Sequence, residues 1–320
     1  MKISVLGCGR WGGLIGWYLN ETGHDVLVWG RREMSDIEQL KKARTNGLVT
    51  FEEKVILTDD IERALSYSEV VVISISSQAL RGFLEENSHR TKLRKKVIIL
   101  CMKGLEESTG KRLSQIVNET LAPESSPVAW VGPGHVQDIT NGVPTCMVID
   151  SEDERLKVRL AGELSSNLIK LYVGVDMIGN EIGAAAKNVI GIGAGVLDGL
   201  GHDSLKGVLM ARGAKEISKL ILAQGGNPAS AYGLAHLGDY QATLFSAHGN
   251  NRKFGELLVK NKKFDKLCEG VSTTNALTRL GEILGVDLPI CESIRSIIEK
   301  KRGPEAILSG MFPSGGEFEF

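Results

Sequence analysis

Lys187 stands within residues 181–195, a stretch rich in Gly and Ala that holds no other cation. A lysine in such surroundings either snorkels its ammonium to water or is held in a cleft with a carboxylate, where desolvation lowers its pKa toward a range useful for proton transfer. From this stretch alone a surface lysine at a helix edge is the simpler reading. Asn180 and Asn188 flank it at spacings of seven and one, so Asn180 can share its face and Asn188 is its neighbour. Lys103 follows an apolar run at 97–101. Ligands of open α/β sheets gather beyond the carboxyl ends of strands, so a cation there can meet a substrate oxygen or phosphate, with ordinary loop chemistry as an equal alternative. The same argument covers Gly132, Gly134 and His135 after a run at 128–131. Asp239 comes before a polar cluster of Asn250, Asn251, Arg252 and Lys253. That cluster could open a helix whose N–H groups bind phosphate, although a solvated helix start is the commoner use of such residues.

A second group of residues has the spacing of a dinucleotide site. Gly7, Gly9 and Gly12 follow a predicted strand at 2–6 and precede a predicted helix at 13–21. In that order the first glycine allows a sharp turn, the second lets a pyrophosphate approach the backbone, and the third lets the helix pack against the sheet. The phosphates would sit on N–H groups at the helix start, where the dipole favours an anion. A site selective for NADH usually ends its second strand with a carboxylate, whereas this chain has Gly30, Arg31 and Arg32. The arginines favour a 2′-phosphate and rank NADPH above NADH. Both remain open, because the arginines could be solvated charges and Glu33 could still reach the ribose.

The elements that must position these residues are legible as alternating periods. Apolar runs at 55–57, 70–74, 97–101, 128–131, 145–149 and 168–173 lie between helical stretches, which implies a mostly parallel sheet covered on both faces. Thr58 and Ser151 each precede a carboxylate-rich stretch and are read as N-caps. Beyond about Asp176 strand-like runs nearly vanish. The expected fold is therefore α/β: a Rossmann-like, doubly wound N-terminal domain over residues 1–178, then an all-α domain over 179–320. The first helix of the second domain, from 177 to about 197, carries glycine at a frequency that would cost roughly 1 kcal/mol per residue against alanine. Close approach of other backbones is the expected compensation, which makes this helix central and buried.

Composition removes several function classes. At 320 residues two domains are the natural expectation. The net charge of −1 with interspersed signs gives no basic tract for nucleic acid or an anionic membrane, and no apolar run is long enough to span a bilayer. The N-terminus reads as a strand and not as a secretory signal, so a cytoplasmic location is expected. Cys8, Cys101, Cys146, Cys268 and Cys291 are odd in number and lack CxxC spacing, which argues against disulfides and zinc. Cys8 alone, inside the glycine turn, could meet oxidants. The glycine-rich helical half is compatible with a homodimer, and the last residues, 312–320, are expected to fray.

Taken in order, Gly-Cys-Gly-Arg-Trp-Gly at 7–12, Lys-Gly-Leu-Glu at 103–106, Gly-Pro at 132–133, Lys-Asn-Val at 187–189, Gly-Asp at 238–239 and Asn-Arg-Lys-Phe-Gly at 251–255 resemble the bacterial-type NAD(P)-dependent glycerol-3-phosphate dehydrogenases along essentially the whole chain. The resemblance implies reversible reduction of dihydroxyacetone phosphate to sn-glycerol 3-phosphate, the precursor of phospholipid backbones. It implies Lys187 as proton donor and acceptor, Lys103 as a contact to both substrate and cofactor, and Asp239 and Thr243 as the acid and hydroxyl beside the catalytic lysine. It places Gly132, Gly134, Asn188, Asn250, Asn251 and Arg252 on the substrate side. Gly7, Gly9, Arg10, Trp11, Gly12, Arg31, Arg32, Val136, Asn250 and Glu269 correspond to cofactor contacts, and no metal is implied.

The chain departs from that pattern where the family commonly reads Ser-Arg-Asn. It has Gly249, Asn250 and Asn251, and so lacks an arginine fork suited to phosphate. Arg252, Arg212 and His248 are the candidate replacements. His135 stands where the family more often has another residue. Two other functions stay in view: a two-domain reductase of a non-phosphorylated hydroxy or keto acid, and a non-catalytic NADPH sensor.

Overall fold

The computed structural model describes residues 1–32, 35–121, 125–246 and 249–312. Glu33, His248 and residues 313–320, to which the sequence assigned a ribose contact, a phosphate contact and a frayed tail, lie outside them.

Contacts divide the chain into two units, one formed by Met1–Met102 with Leu113–Met177 and the other by Lys103–Arg112 with the chain from Ile178 onward. A single cut near residue 178 therefore misses an excursion: Lys103–Arg112 lies early in the sequence but packs with the late helices.

The first unit is an eight-stranded sheet in the order β3-β2-β1-β4-β5-β6-β7-β8. Its strands are β1 (Lys2–Leu6), β2 (Asp25–Trp29), β3 (Ile56–Thr58), β4 (Val70–Ile73), β5 (Val97–Leu100), β6 (Ser126–Val131), β7 (Thr145–Asp150) and β8 (Ile169–Val173). All neighbours run parallel except β6 and β7. Period-two alternation sends successive residues to opposite faces. Val70 and Val72 enter one apolar cluster with Leu14, Ile15 and Tyr18, while Val71 and Ile73 enter another with Leu80, Leu84 and Ile116. The doubly wound expectation holds because burial on both faces requires nearly unbroken apolar strands.

Three local expectations need correction. The helix after the glycine turn is Arg10–Glu21 and starts three residues earlier than its apolar period suggested. The N-caps are Asp60 and Asp153, whose carboxylates accept the N–H groups of Arg63 and Leu156. Thr58 and Ser151 sit two residues upstream, where their hydroxyls accept the N–H of those caps. A short polar side chain serves equally well in either place, so the sequence alone did not separate them. Cys8 is buried, its sulfur beneath Gly30, which removes the oxidant-accessible reading.

Among the described residues the regular elements of the second unit are helices, apart from one isolated antiparallel bridge between Leu105 and Arg112 in the segment Lys103–Arg112. Its central element is Met177–Leu200, as the glycine content anticipated. A Cβ on Gly195 would strike the carbonyl of Arg252, and one on Gly255 would strike that of Ile192. This helix and Asn250–Val259 therefore meet backbone to backbone. The remaining long helices are Lys206–Ala223, Glu269–Leu284 and Pro289–Ile298, and they enclose one apolar cluster with Val189, Ile192, Val196 and Leu277.

Candidate active site

Lys187 is not a surface lysine. Its ammonium lies 2.6 Å from Asp239 Oδ2 and donates to Thr243 Oγ1 at 3.1 Å, with the residue 8% exposed. Asp239 is wholly buried at the end of the short turn Leu237–Asp239. Its Oδ2 also takes Lys103 Nζ at 2.8 Å. Two ammonium groups thus share one carboxylate oxygen, which leaves a net positive charge in a largely desolvated place. Thr243 spends its own proton on the Asp239 carbonyl at 2.7 Å, so its oxygen is turned to accept from Lys187. Thr243 lies in a π-turn, Gln241–Phe245, of the kind often found at functional sites.

Burial lowers the Lys187 pKa to about 8, the Asp239 charge opposes that fall and the Lys103 charge adds to it. The result is an ammonium that can give up a proton near neutral pH. It has three donors and spends two on Asp239 and Thr243. Two cations around one buried carboxylate also suit negative charge developing on a nearby oxygen.

The two asparagines tie this cluster together. Asn188 Nδ2 donates to the Lys103 carbonyl at 2.7 Å, and its Oδ1 accepts from Asn251 Nδ2 at 2.9 Å. Asn251 Oδ1 in turn accepts the Gly270 N–H at 3.0 Å and the Cys268 thiol at 3.1 Å. Burial pushes that thiol up to about 12, so it stays a donor. Asn251 therefore caps the helix Glu269–Leu284 from a distance, and its side chain links three elements before it can serve any ligand. Glu269 stands in the first turn of that helix.

The proposed substitutes for the missing arginine fare unevenly. Arg252 is held by Asp198 at 2.6 Å and by the Ser246 carbonyl at 2.9 Å. Lys206 takes the other oxygen of the same carboxylate at 2.6 Å. Asn250 is exposed and donates to the Leu267 carbonyl at 3.2 Å, while Arg212 is half-buried on Lys206–Ala223.

In the sheet unit the glycine turn has the form its spacing predicts. Gly7 has φ +118°, where an L side chain is strained, and a Cβ there would strike the Ser74 carbonyl. Gly12 lies against the Gly7 carbonyl. Gly9 is the N-cap of Arg10–Glu21, no side chain caps that end, and a Cβ on Gly9 would meet nothing within 4 Å. The turn thus offers an open cradle at a helix start, and it fits a pyrophosphate. Arg10 is exposed beside it, and Gly134 lies against the Trp11 ring. Gly132, with φ +132°, directly follows β6 and lies against Met147. Val136 opens the helix Val136–Thr140 and buries its side chain in the core, while His135 is the half-buried N-cap and makes no side-chain cap bond.

A groove of about 800 Å³ lies at the end of β2, lined by Trp29, Arg31, Arg32, Asp59, Phe83 and His89 among others. Arg31 is exposed; Arg32 pairs with Asp59 at 2.7 Å, and Lys41 joins the same carboxylate at 2.9 Å. These partners hold the Asp59 carboxyl well below the usual carboxylate range. Both arginines are exposed, and they differ in that Arg32 shares its charge with Asp59.

Family comparison settles the membership. The model described as NAD-dependent glycerol-3-phosphate dehydrogenase N-terminus matches residues 2–157, and the C-terminus model matches residues 176–309. The chain belongs to the NAD-dependent glycerol-3-phosphate dehydrogenase family. Among curated relatives, the glycerol-3-phosphate dehydrogenase [NAD(P)+] of Thermoanaerobacter sp. is 34% identical over 97% of both chains. That of Fusobacterium nucleatum is 33% identical over 96% of this chain and 95% of the relative. The crystal structure of the Coxiella burnetii glycerol-3-phosphate dehydrogenase shares the fold, with a TM-score of 0.88 at 23% identity, over 96% of this chain and 98% of that one.

Two residues of the helical unit escaped the sequence reading. His236 and Tyr240, fully buried and four apart, bracket Asp239. Their spacing was the available signal, but it reads as core packing unless the fold is known.

Proposed function

We propose that this glycerol-3-phosphate dehydrogenase family member uses NAD(P)H to reduce dihydroxyacetone phosphate reversibly to sn-glycerol 3-phosphate, with Lys187 as the proton donor. The observation that carries the reading is the buried Lys187 ammonium, 2.6 Å from Asp239 Oδ2 and bonded to Thr243. When bound, NAD(P)H would supply the hydride that the ketone carbon receives. Lys187 then offers its remaining N–H to the carbonyl oxygen and transfers the proton as alkoxide charge develops. Asp239 and Thr243 keep the other two N–H bonds occupied, which orients the third. Lys103, on the same carboxylate, adds positive charge where the oxygen becomes negative. In the reverse direction the neutral amine accepts the alcohol proton.

Gly7, Gly9 and Gly12, with Arg10 and Trp11, would hold the cofactor pyrophosphate. Arg31 would favour a 2′-phosphate, with Arg32 sharing its charge with Asp59. Val136, Asn250 and Glu269 are proposed to complete the cofactor contacts, and Gly132 and Gly134 to border the substrate. Asn188, Asn251 and Arg252 would support the substrate side mainly by shaping it. A cytoplasmic location and a homodimer accompany this reading; among the described residues no helix is long and apolar enough to cross a membrane.

One observation favours a second substrate class. Asn250 points to the Leu267 carbonyl and Arg252 is committed to Asp198, so neither is set to grip a phosphate. A non-phosphorylated hydroxy or keto acid is the corresponding alternative. A sensor without catalysis has less support, since it has no use for a lysine tuned to proton transfer.

The test compares Lys187→Met with the unaltered enzyme. Turnover of dihydroxyacetone phosphate should fall by at least about a thousandfold, on the scale of lost general acid catalysis, while NADPH fluorescence titration still shows binding. Near-normal turnover in the variant removes Lys187 from the chemistry. If a non-phosphorylated ketone matches dihydroxyacetone phosphate in kcat/KM, the phosphorylated substrate is wrong.

A further inference from the structure

His236 joins the helix that carries Lys187 to the turn that carries Asp239. Its Nδ1 lies 2.8 Å from the Gly183 carbonyl, and its Nε2 lies 2.7 Å from Tyr240 Oη. A carbonyl can only accept, so Nδ1 bears the hydrogen. Burial pulls the imidazole pKa down to about 4, which keeps the ring neutral and leaves Nε2 an acceptor. Tyr240, whose phenol burial pushes well above its ordinary range, is therefore the donor. The bonds run in one direction, from the Tyr240 hydroxyl to Nε2 and from Nδ1–H to Gly183.

Each end of this relay lies next to a catalytic group. Gly183 is four residues before Lys187, so in the α-helix Met177–Leu200 its carbonyl also accepts the Lys187 backbone N–H. A Cβ on Gly183 would come within 2.8 Å of the His236 Cβ, so only glycine leaves room for the ring to sit on the helix. At the other end Tyr240 directly follows Asp239, and the Asp239 N–H donates to the His236 carbonyl at 3.0 Å. The Tyr240 and His236 rings stand edge to face with centroids 4.8 Å apart, and Tyr240 Oη would lie 3.4 Å from a Cβ on Gly213 of Lys206–Ala223.

We infer that His236 and Tyr240 are positioning residues, whose relay to the Gly183 carbonyl pins the Asp239 turn to the Lys187 helix and so sets the contact between Asp239 Oδ2 and Lys187 Nζ. This rests on the reading of Lys187 as proton donor. Neither residue touches the reacting atoms. The groups facing the Lys187 ammonium are Asp239, Lys103 and Thr243, with neutral His236 behind them; Tyr240 faces Glu216 and Cys291 on its far side. A slackened Asp239 contact removes the main charge that holds the proton on Lys187, so the lysine becomes more acidic.

Tyr240→Phe keeps the ring and deletes only the donor. In the reduction direction its kcat should fall on the order of tenfold, as expected for a small displacement of a catalytic contact. KM for NADPH should be unchanged, and the alkaline limb of the kcat profile should move to lower pH by roughly half a unit. His236→Asn, which can still donate to Gly183, should recover part of the activity lost in His236→Ala. Nitrogen-15 NMR of the unaltered enzyme should show His236 as the Nδ1–H tautomer and not titrating between about pH 5 and 8. A Tyr240→Phe enzyme that loses thermal stability but keeps the wild-type alkaline limb overturns the inference, as does a His236 ring that titrates in that range. Retained turnover in Lys187→Met is a separate result and defeats the proton-donor reading itself.

Discussion

Lys187 acts as an acid or a base depending on a balance of burial against one carboxylate. Burial lowers its pKa to about 8, and the nearby Asp239 charge prevents a larger fall. Ketone reduction needs the ammonium, so its kcat should be flat below about pH 8 and fall tenfold per unit above it. Alcohol oxidation needs the free amine and should rise tenfold per unit below about pH 8 and level off above it. Steady-state profiles in both directions check this, and parallel rather than opposed limbs would assign the titration elsewhere. Asp239→Asn keeps the shape but removes the charge that supports the proton, so it should move both limbs to lower pH.

At the scale of elements, the site depends on how closely helices can approach. Lys187, Asn188, Gly191 and Gly195 belong to one helix, and its glycines allow Asn250–Val259 to bring Asn251 within 2.9 Å of Asn188. A methyl at Gly195 would enter the Arg252 carbonyl, and the two backbones would have to separate. Gly195→Ala improves helix propensity by about 1 kcal/mol, but overpacking of this kind costs about 1–3 kcal/mol or more. Net destabilisation in urea unfolding, with loss of kcat, is the expected outcome. A variant more stable than the parent would show that this contact has room to relax. The glycine turn follows the same logic in the sheet unit, where Gly7 and Gly12 touch backbone and Gly9 faces open space.

For the whole molecule, the path of the chain matters more than the number of its elements. The segment Lys103–Arg112 leaves the sheet unit after β5, packs with the helices, and returns. It delivers Lys103 to Asp239 and Arg112 to Glu181, a buried pair at 2.7 Å, and it adds Leu105 to the helical core. A fragment beginning at Ile178 therefore loses part of its own core and takes Arg112 away from the buried Glu181 carboxylate. Breaking such a pair costs about 3–5 kcal/mol, a large share of the stability of an ordinary domain. That fragment should lack a cooperative thermal transition. Adding residues 103–112 through a flexible linker should restore one, and a cooperatively folded bare fragment would show the excursion to be dispensable.

Much of this protein was legible in the one-dimensional pattern, because the relevant physics is local. Alternating apolar runs specify strands buried on both faces, a glycine triplet between strand and helix specifies a tight turn, and glycine crowding in one helix signals backbone contact. Lys103, Lys187 and Asp239 could be named as candidates from their settings and from the family resemblance. Their convergence on a single carboxylate oxygen is a matter of tertiary structure, since 136 residues separate Lys103 from Asp239. Folding also decided that Asn251 caps a distant helix, that Asp198 occupies Arg252, and that Asp60 and Asp153 take the cap positions expected of Thr58 and Ser151. Above all it decided the state of Lys187. In sequence that residue reads more simply as a solvated helix-edge lysine, because desolvation depends on which distant segments exclude water from it.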